Sequence, residues 1–110
     1  MRVIITDKIA STVFFYGLGL PNVLITSVEA LSQEPDQGRS KLVLGPGDTA
    51  MVVGGEAFNY LKQFYHFGVR SENYYDCAKL YRLSIEGGAF IKVLAQAPRD
   101  QEELNRVFSE

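Results

Sequence analysis

The stretch Thr49-Ala-Met-Val-Val-Gly-Gly-Glu-Ala-Phe-Asn-Tyr-Leu61 constrains the fold more than any other part of the chain. Ala50 to Val53 is a short, continuous apolar run, the pattern of a strand covered on both faces and not of one wetted on alternate residues. Gly54 and Gly55 permit a sharp change of direction. Ala57, Phe58, Leu61, Phe64 and Tyr65 then recur at the i, i+3, i+4, i+7 spacing of one helix face. A buried strand that runs through glycines into an amphipathic helix is the grammar of an α/β layer fold, in which ligands approach the carboxyl ends of the strands.

The flanking segments extend this reading. Arg2 to Thr6 and Asn22 to Thr26 are β-branched and apolar, as strands are. Between them, Ile9, Val13 and Tyr16 share a helical face, although Thr12 to Tyr16 also has high strand propensity. A helix is favoured because Gly17-Leu-Gly-Leu-Pro21 closes one naturally; a strand there would make the first half an antiparallel meander and the fold α+β. Glu34-Pro-Asp-Gln-Gly38 reads as a polar loop, Lys41 to Leu44 as a short strand, and Gly45-Pro-Gly-Asp48 as a tight turn. Gly68 is expected to stop the main helix and Ser71 to cap a second one, with Tyr74, Ala78, Tyr81 and Ile85 along one face. Ala89 to Leu94 reads as a strand. Pro98 and Asp100 open a last helix, in which Asp100 and Glu103 form a capping-box-like pair and Leu104, Val107 and Phe108 form the buried stripe. The expected architecture is a single α/β domain over residues 1–110, with a three- to five-stranded, partly parallel sheet and three to four helices. The last helix is still legible at Glu110, which suits a natural end or a longer chain equally.

Composition narrows the function classes. A chain of 110 residues with 46% hydrophobic and 22% charged side chains has the make-up of one globular domain. The net charge of −2 and the scatter of Lys and Arg, with no run of three, argue against nonspecific nucleic-acid binding by the whole surface. The single Cys77 excludes an internal disulfide, and one Cys with one His cannot supply a structural zinc site. Charge arrives by Asp7, too early for a signal peptide, and no apolar run approaches the about 18 residues of a membrane span. A cytoplasmic protein without a cofactor is expected.

The chemistry-bearing positions are few. Asp7, at the carboxyl end of the first strand, is the leading ligand-binding candidate, against the plainer reading that it caps the following helix. Gly45-Pro-Gly47 and Gly54-Gly55 expose N–H groups of the kind that cradle a phosphate, but neither leads into Gly-Lys-Ser/Thr, and turn chemistry is the simpler explanation. Glu56 would repel a phosphate there, while suiting the positive end of a helix. Neither His66 nor Cys77 has an evident chemical partner, and a structural role is simpler for both. Tyr60, Phe64, Tyr65, Phe67, Tyr74, Tyr75 and Tyr81 cannot all face inward on two short helices, which marks them as interface candidates.

The order of elements resembles the uracil-DNA glycosylase superfamily. In that family a helix ending in glycine leads into a strand of the type Leu20-Pro-Asn-Val-Leu-Ile-Thr26. A later strand runs into a glycine and a helix, as in Met51 to Leu61, and a further strand ends in a proline-containing loop, as in Ile91 to Pro98. The family's glycine-and-acid loop that activates water has no match after Arg2 to Thr6, and Ala97 stands where its histidine-proline loop has the histidine. The resemblance implies a reduced, non-catalytic relative; in an active fragment of this type, Asp7 would be the acid, with the Gly54-Gly55 and Ala97-Pro98 loops around the ligand.

The expected function is a non-enzymatic interaction module that associates with itself or another protein through aromatic surface. Two readings stand beside it: a nucleotide- or nucleic-acid-processing fragment of the glycosylase type, and a protein that holds a small nucleotide at its glycine turns.

Overall fold

The computed structural model describes residues 1–33, 42–74, 79–85 and 88–109. In chain order its elements are β1 (Arg2–Thr6), α1 (Ile9–Gly17), β2 (Val23–Ser27), α2 (Val28–Ser32), β3 (Thr49–Val53), α3 (Gly55–Lys62), β4 (Phe67–Tyr74), β5 (Lys79–Ile85), β6 (Phe90–Leu94) and α4 (Gln101–Ser109). The strands make one sheet in the order β2-β1-β3-β6-β5-β4. β2, β1, β3 and β6 are mutually parallel, while β5 pairs antiparallel with β6 and β4 antiparallel with β5.

The continuous apolar runs of β1 and β3 follow from this position at the middle of the sheet, where both faces are covered. Alternate residues of one strand feed two cores. Val3, Ile5, Ala50, Val52 and Ile91 pack toward Ala57 and Leu61 of α3 and toward Leu42 and Leu44. Ile4, Met51 and Leu94 pack on the opposite face against Phe15 of α1 and Leu104, Val107 and Phe108 of α4. The result is a three-layer α/β domain, as the sequence implies.

The segment Lys8 to Tyr16 resolves as helix, and β1-α1-β2 is the parallel unit expected. α4 likewise forms with its expected start: Glu103 N–H donates to Asp100 Oδ1 at 2.9 Å. Its end is secured from the sheet, because the buried Lys92 of β6 donates through Nζ to the Val107 and Phe108 carbonyls at 2.5 and 2.7 Å, the groups a helix terminus leaves unpaired. The Gly45–Asp48 turn also forms, with Asp48 N–H donating to the Gly45 carbonyl at 3.1 Å and Gly47 at φ +85°. Pro46 before a positive-φ glycine is what a type II turn requires.

Three expectations are corrected, and one helix is added. The helix placed after Ser71 is instead the hairpin β4–β5, which raises the sheet to six strands where three to five were expected. Apolar Tyr81, Leu83 and Ile85 alternate with Arg82 and Ser84, a period-2 signal that also satisfies a helical i, i+4 spacing, and pairing with β6 decides between the two. α3 ends at Lys62, so Phe64 and Tyr65 follow the helix instead of continuing its face. Leu42 to Leu44 alternates like a strand, with Leu42 and Leu44 buried and Val43 exposed, yet pairs with no strand among the described residues. The Tyr65 hydroxyl takes the neighbour's part: it donates to the Leu42 carbonyl and accepts from Leu44 N–H. Finally, Val28–Ser32 is a short helix that was not foreseen, capped by Ser27, whose Oγ accepts from Ala30 N–H at 3.1 Å. The Glu34–Gly38 loop lies outside the described residues.

Two outcomes follow from this packing. Leu104→Ala, at a position with 0% exposure between α4 and the sheet, is expected to lower the unfolding free energy in urea by about 2–5 kcal/mol. The second concerns Asp48, whose carboxyl accepts from the Met1 amino group at 2.7 Å and from Gly45 N–H at 2.9 Å. The Met1 amino group first, and the Gly45 N–H second, hold this carboxyl below its ordinary value. Because the folded-state value is the lower one, the stabilisation is present above the unfolded value of about 3.9 and is lost as pH falls through the folded value. Denaturation of wild type and Asp48→Asn across pH 2–7 should show a stability gap near neutrality that closes at the acid end.

Candidate functional site

The carboxyl ends of β1 and β3 are where the chain's connections part. From β1 the chain crosses through α1 to β2 on one side of the sheet order, and from β3 it proceeds through α3 to the strands on the other. α1 and α3 pack on opposite sheet faces. Such a switch point leaves a crevice outside the strand ends, the usual ligand position in open α/β sheets.

Register brings the candidate residues together there. Thr6 lies opposite Val53, and Val53 opposite Leu94, so Asp7, Gly54 and Ala95 emerge side by side. The Asp7 carboxylate does not cap α1, the local helix. Its Oδ1 accepts from Ala57 N–H at 2.7 Å, in the first turn of α3, fifty residues along the chain. This is a helix-capping bond supplied from another strand, and the positive end of α3 favours the negative charge. The Asp7 carbonyl accepts from Glu29 N–H of α2 at 3.2 Å, and Glu29 Oε1 in turn accepts from Ile9 N–H at the start of α1, also at 3.2 Å. Three helix starts are thus tied to one loop.

Gly54 is the necessary partner of Asp7. It has φ +111°, and a Cβ there would overlap the Asp7 carboxylate. Both conditions require glycine. Gly55, by contrast, is exposed and has open space around it. The phosphate cradle considered for Gly54-Gly55 is thereby filled from within, since the N–H that would greet an anion already holds one. Glu56 is exposed, with Lys8 Nζ at 3.5 Å from its Oε2; an ion pair so open to water is worth little.

A cleft of about 360 Å³ opens at this point, lined by Thr6, Asp7, Ser11, Phe14, Phe15, Val53, Gly54 and Ala95–Ala97. Of the ligand-binding candidates, it unites Asp7, Gly54 and Ala97. Gly55 and Glu56 are absent from the lining, and Pro98 is buried beyond it. Phe14 and Phe15 were not singled out by sequence, although they form its apolar wall. They meet edge to face, with centroids 5.2 Å apart and planes at 80°. Their signal was the doubled aromatic in a helix about two turns beyond Asp7.

The aromatic interface candidates divide. Tyr60 and Tyr65 are half-buried against the core cluster on the α3 face, and Phe64 contacts the Tyr60 ring at 5.1 Å. These side chains are mostly absorbed by packing. Phe67 and Tyr74 mark the ends of β4, Tyr75 and Cys77 lie outside the described residues, and His66 is exposed. The large exposed apolar side chains lie elsewhere: Ile9, Val13, Phe14 and Tyr16 on α1, with Leu24 of β2, Met1 and Val43 apart from them. Among the described residues, no group of three His, Cys, Asp or Glu side chains is arranged to hold a metal ion, and no helix is long and apolar enough to cross a membrane.

Comparison with protein-family models, curated proteins and solved structures finds no match to this chain. The likeness to uracil-DNA glycosylases therefore stands on the residues quoted above alone.

The Asp7–Gly54 pair is testable by a contrast between adjacent glycines. Gly54→Ala is expected to lower stability by about 2 kcal/mol or more, through positive-φ strain and overlap with Asp7. Gly55→Ala should be neutral, or stabilising by up to about 1 kcal/mol. Equal effects in chemical denaturation would remove the pairing.

Proposed function

We propose that this protein is a non-enzymatic interaction module that pairs with a second copy of itself through the outer face of α1. One observation carries the reading: α1, Ile-Ala-Ser-Thr-Val-Phe-Phe-Tyr-Gly, is a surface helix without a charged residue. Surface helices of globular proteins ordinarily set charged and polar side chains opposite their buried stripe. Here Phe15 and Thr12 are buried, while Val13 and Tyr16 are 67% and 63% exposed and Ile9 is exposed beside them. Ile9, Val13 and Tyr16 fall at the i, i+4, i+7 spacing of one stripe. Leu24 of β2, paired with Val3, lies on the opposite sheet face and is not part of this stripe. Contiguous apolar surface of this kind is characteristic of contact sites.

A second copy is the partner this stripe suits. The stripe carries no formal charge, so two copies related by a two-fold axis meet without like charges opposed, although each chain carries a net −2. The contact is between helix faces and not an added strand, because the Tyr16 hydroxyl donates to the Ile25 carbonyl of β2 at 3.2 Å and partly covers that sheet edge. The aromatic surface thus differs from the one expected on α3 and beyond it. The commitment of Asp7 to the start of α3 further supports a non-enzymatic role.

Sedimentation velocity of wild type and Val13→Glu tests this. Val13 is exposed, so the substitution should leave the monomer's thermal unfolding nearly unchanged while weakening the dimer by about a hundredfold or more, by setting two carboxylates into an apolar contact. A wild-type chain that stays monomeric at about 100 µM, well above the usual dissociation constants of specific dimers, would sink the proposal.

A further inference from the structure

The geometry points to the switch-point cleft as a site for a small organic amine, bound as its ammonium ion against Asp7 with its hydrocarbon part along Phe14. The cleft lies beside the proposed contact face but does not include Ile9, Val13 or Tyr16, so the two inferences are independent.

Size and walls come first. About 360 Å³ falls within the range of small-molecule pockets. Phe14, Phe15, Val53, Ala95 and Ala97 supply apolar surface. Phe15 is fully buried and holds Phe14 edge to face, which leaves the partly exposed Phe14 ring as a fixed platform. An aromatic face of this kind attracts organic cations as well as hydrocarbon.

Charge decides the class of ligand. Asp7 is the one ionisable residue in the lining. Its Oδ1 is engaged by Ala57 N–H, while Oδ2 accepts no hydrogen bond from the described residues. A half-buried carboxylate beside apolar walls gains most from a cationic donor that replaces its lost water. Anions find no counterpart: the start of α3 already holds the Asp7 carboxylate, and Lys8 sits by Glu56. A nucleotide phosphate is therefore the wrong chemistry for this rim, although glycines surround it. Ser11 and Gln96, both exposed at the mouth, offer a hydroxyl and an amide to a polar group at the far end of the ligand.

The test is a ¹H–¹⁵N NMR titration of the full chain at neutral pH with three probes of one shape: benzylamine, benzyl alcohol and benzoate. Benzylamine is expected to give saturable shifts at Asp7, Ser11, Phe14, Gly54 and Gln96, with benzyl alcohol at least about tenfold weaker and benzoate without saturation. Asp7→Asn keeps an acceptor for Ala57 N–H but removes the charge, and should weaken benzylamine by about tenfold or more. Ala97→Leu, at an exposed position, fills the cleft with Asp7 intact and should abolish binding, which decides the matter even if the Asp7 variant fails to fold. Equal binding of the alcohol or of benzoate, undiminished binding to a folded Asp7→Asn or to Ala97→Leu, shifts that map away from the cleft, or no saturable response to any probe would each overturn the assignment.

Discussion

A carboxylate from the end of one central strand, seated in the first turn of the helix that follows its neighbour, is the contact on which the rim at the carboxyl ends of the strands depends. Asp7 Oδ1 and Ala57 N–H are 2.7 Å apart and fifty residues apart in sequence. The bond forms because parallel register sets Thr6 against Val53 and so delivers Asp7 and Gly54 to the same level. It satisfies a helix N–H that would otherwise need water or a ligand, at the helix end where negative charge is favoured. It also dictates the neighbouring residue, since no side chain fits at position 54 beside it. Through the Asp7 carbonyl and Glu29, the starts of α2 and α1 are drawn into the same arrangement. A glycine turn resembling a phosphate cradle is therefore an internally neutralised one.

The two edges of the sheet are managed by different means. β4 closes one edge with a register shift between Phe67 and Arg70 in its pairing, a device that discourages another strand from adding. At the other edge, β2 is unbroken, and a tyrosine hydroxyl from α1 covers part of it. That cover comes from a helix whose outer stripe is itself apolar. Protection of the strand edge and exposure of an apolar face are thus two consequences of one uncharged helix laid along β2.

Much of the layered architecture was legible in advance, and particular residues show why. Val3 to Ile5 and Ala50 to Val53 are apolar on successive residues, which only a doubly covered strand needs, and Ala89 to Leu94 departs from that pattern only at Lys92, so their type and place could be read directly. Asp100 and the Leu104, Val107, Phe108 stripe identified α4 by local signals, a cap and a period. The region after Ser71 was not legible, because its apolar residues fit a period of two and a spacing of four alike, and the arbiter was the free side of β6. Of the cleft, Asp7, Gly54 and Ala97 were readable from their places at strand ends. Phe14 and Phe15 were not, because an aromatic pair on a short helix looks the same whether it faces a core, a cleft or solvent.

What the sequence determined by itself is the set of local commitments: which segments are buried strands, where glycines and caps end or begin helices, and that no metal-binding or nucleophilic constellation is written in contiguous motifs. These depend on interactions within a few residues, and so they survive translation into one dimension. Only the tertiary structure decided which helix Asp7 caps, whether residues 79–85 extend or coil, and which aromatic side chains are left outside. Each of those outcomes is a competition among distant partners for the same backbone groups or the same apolar area, and its winner is set by strand register and sheet order, which no local pattern encodes.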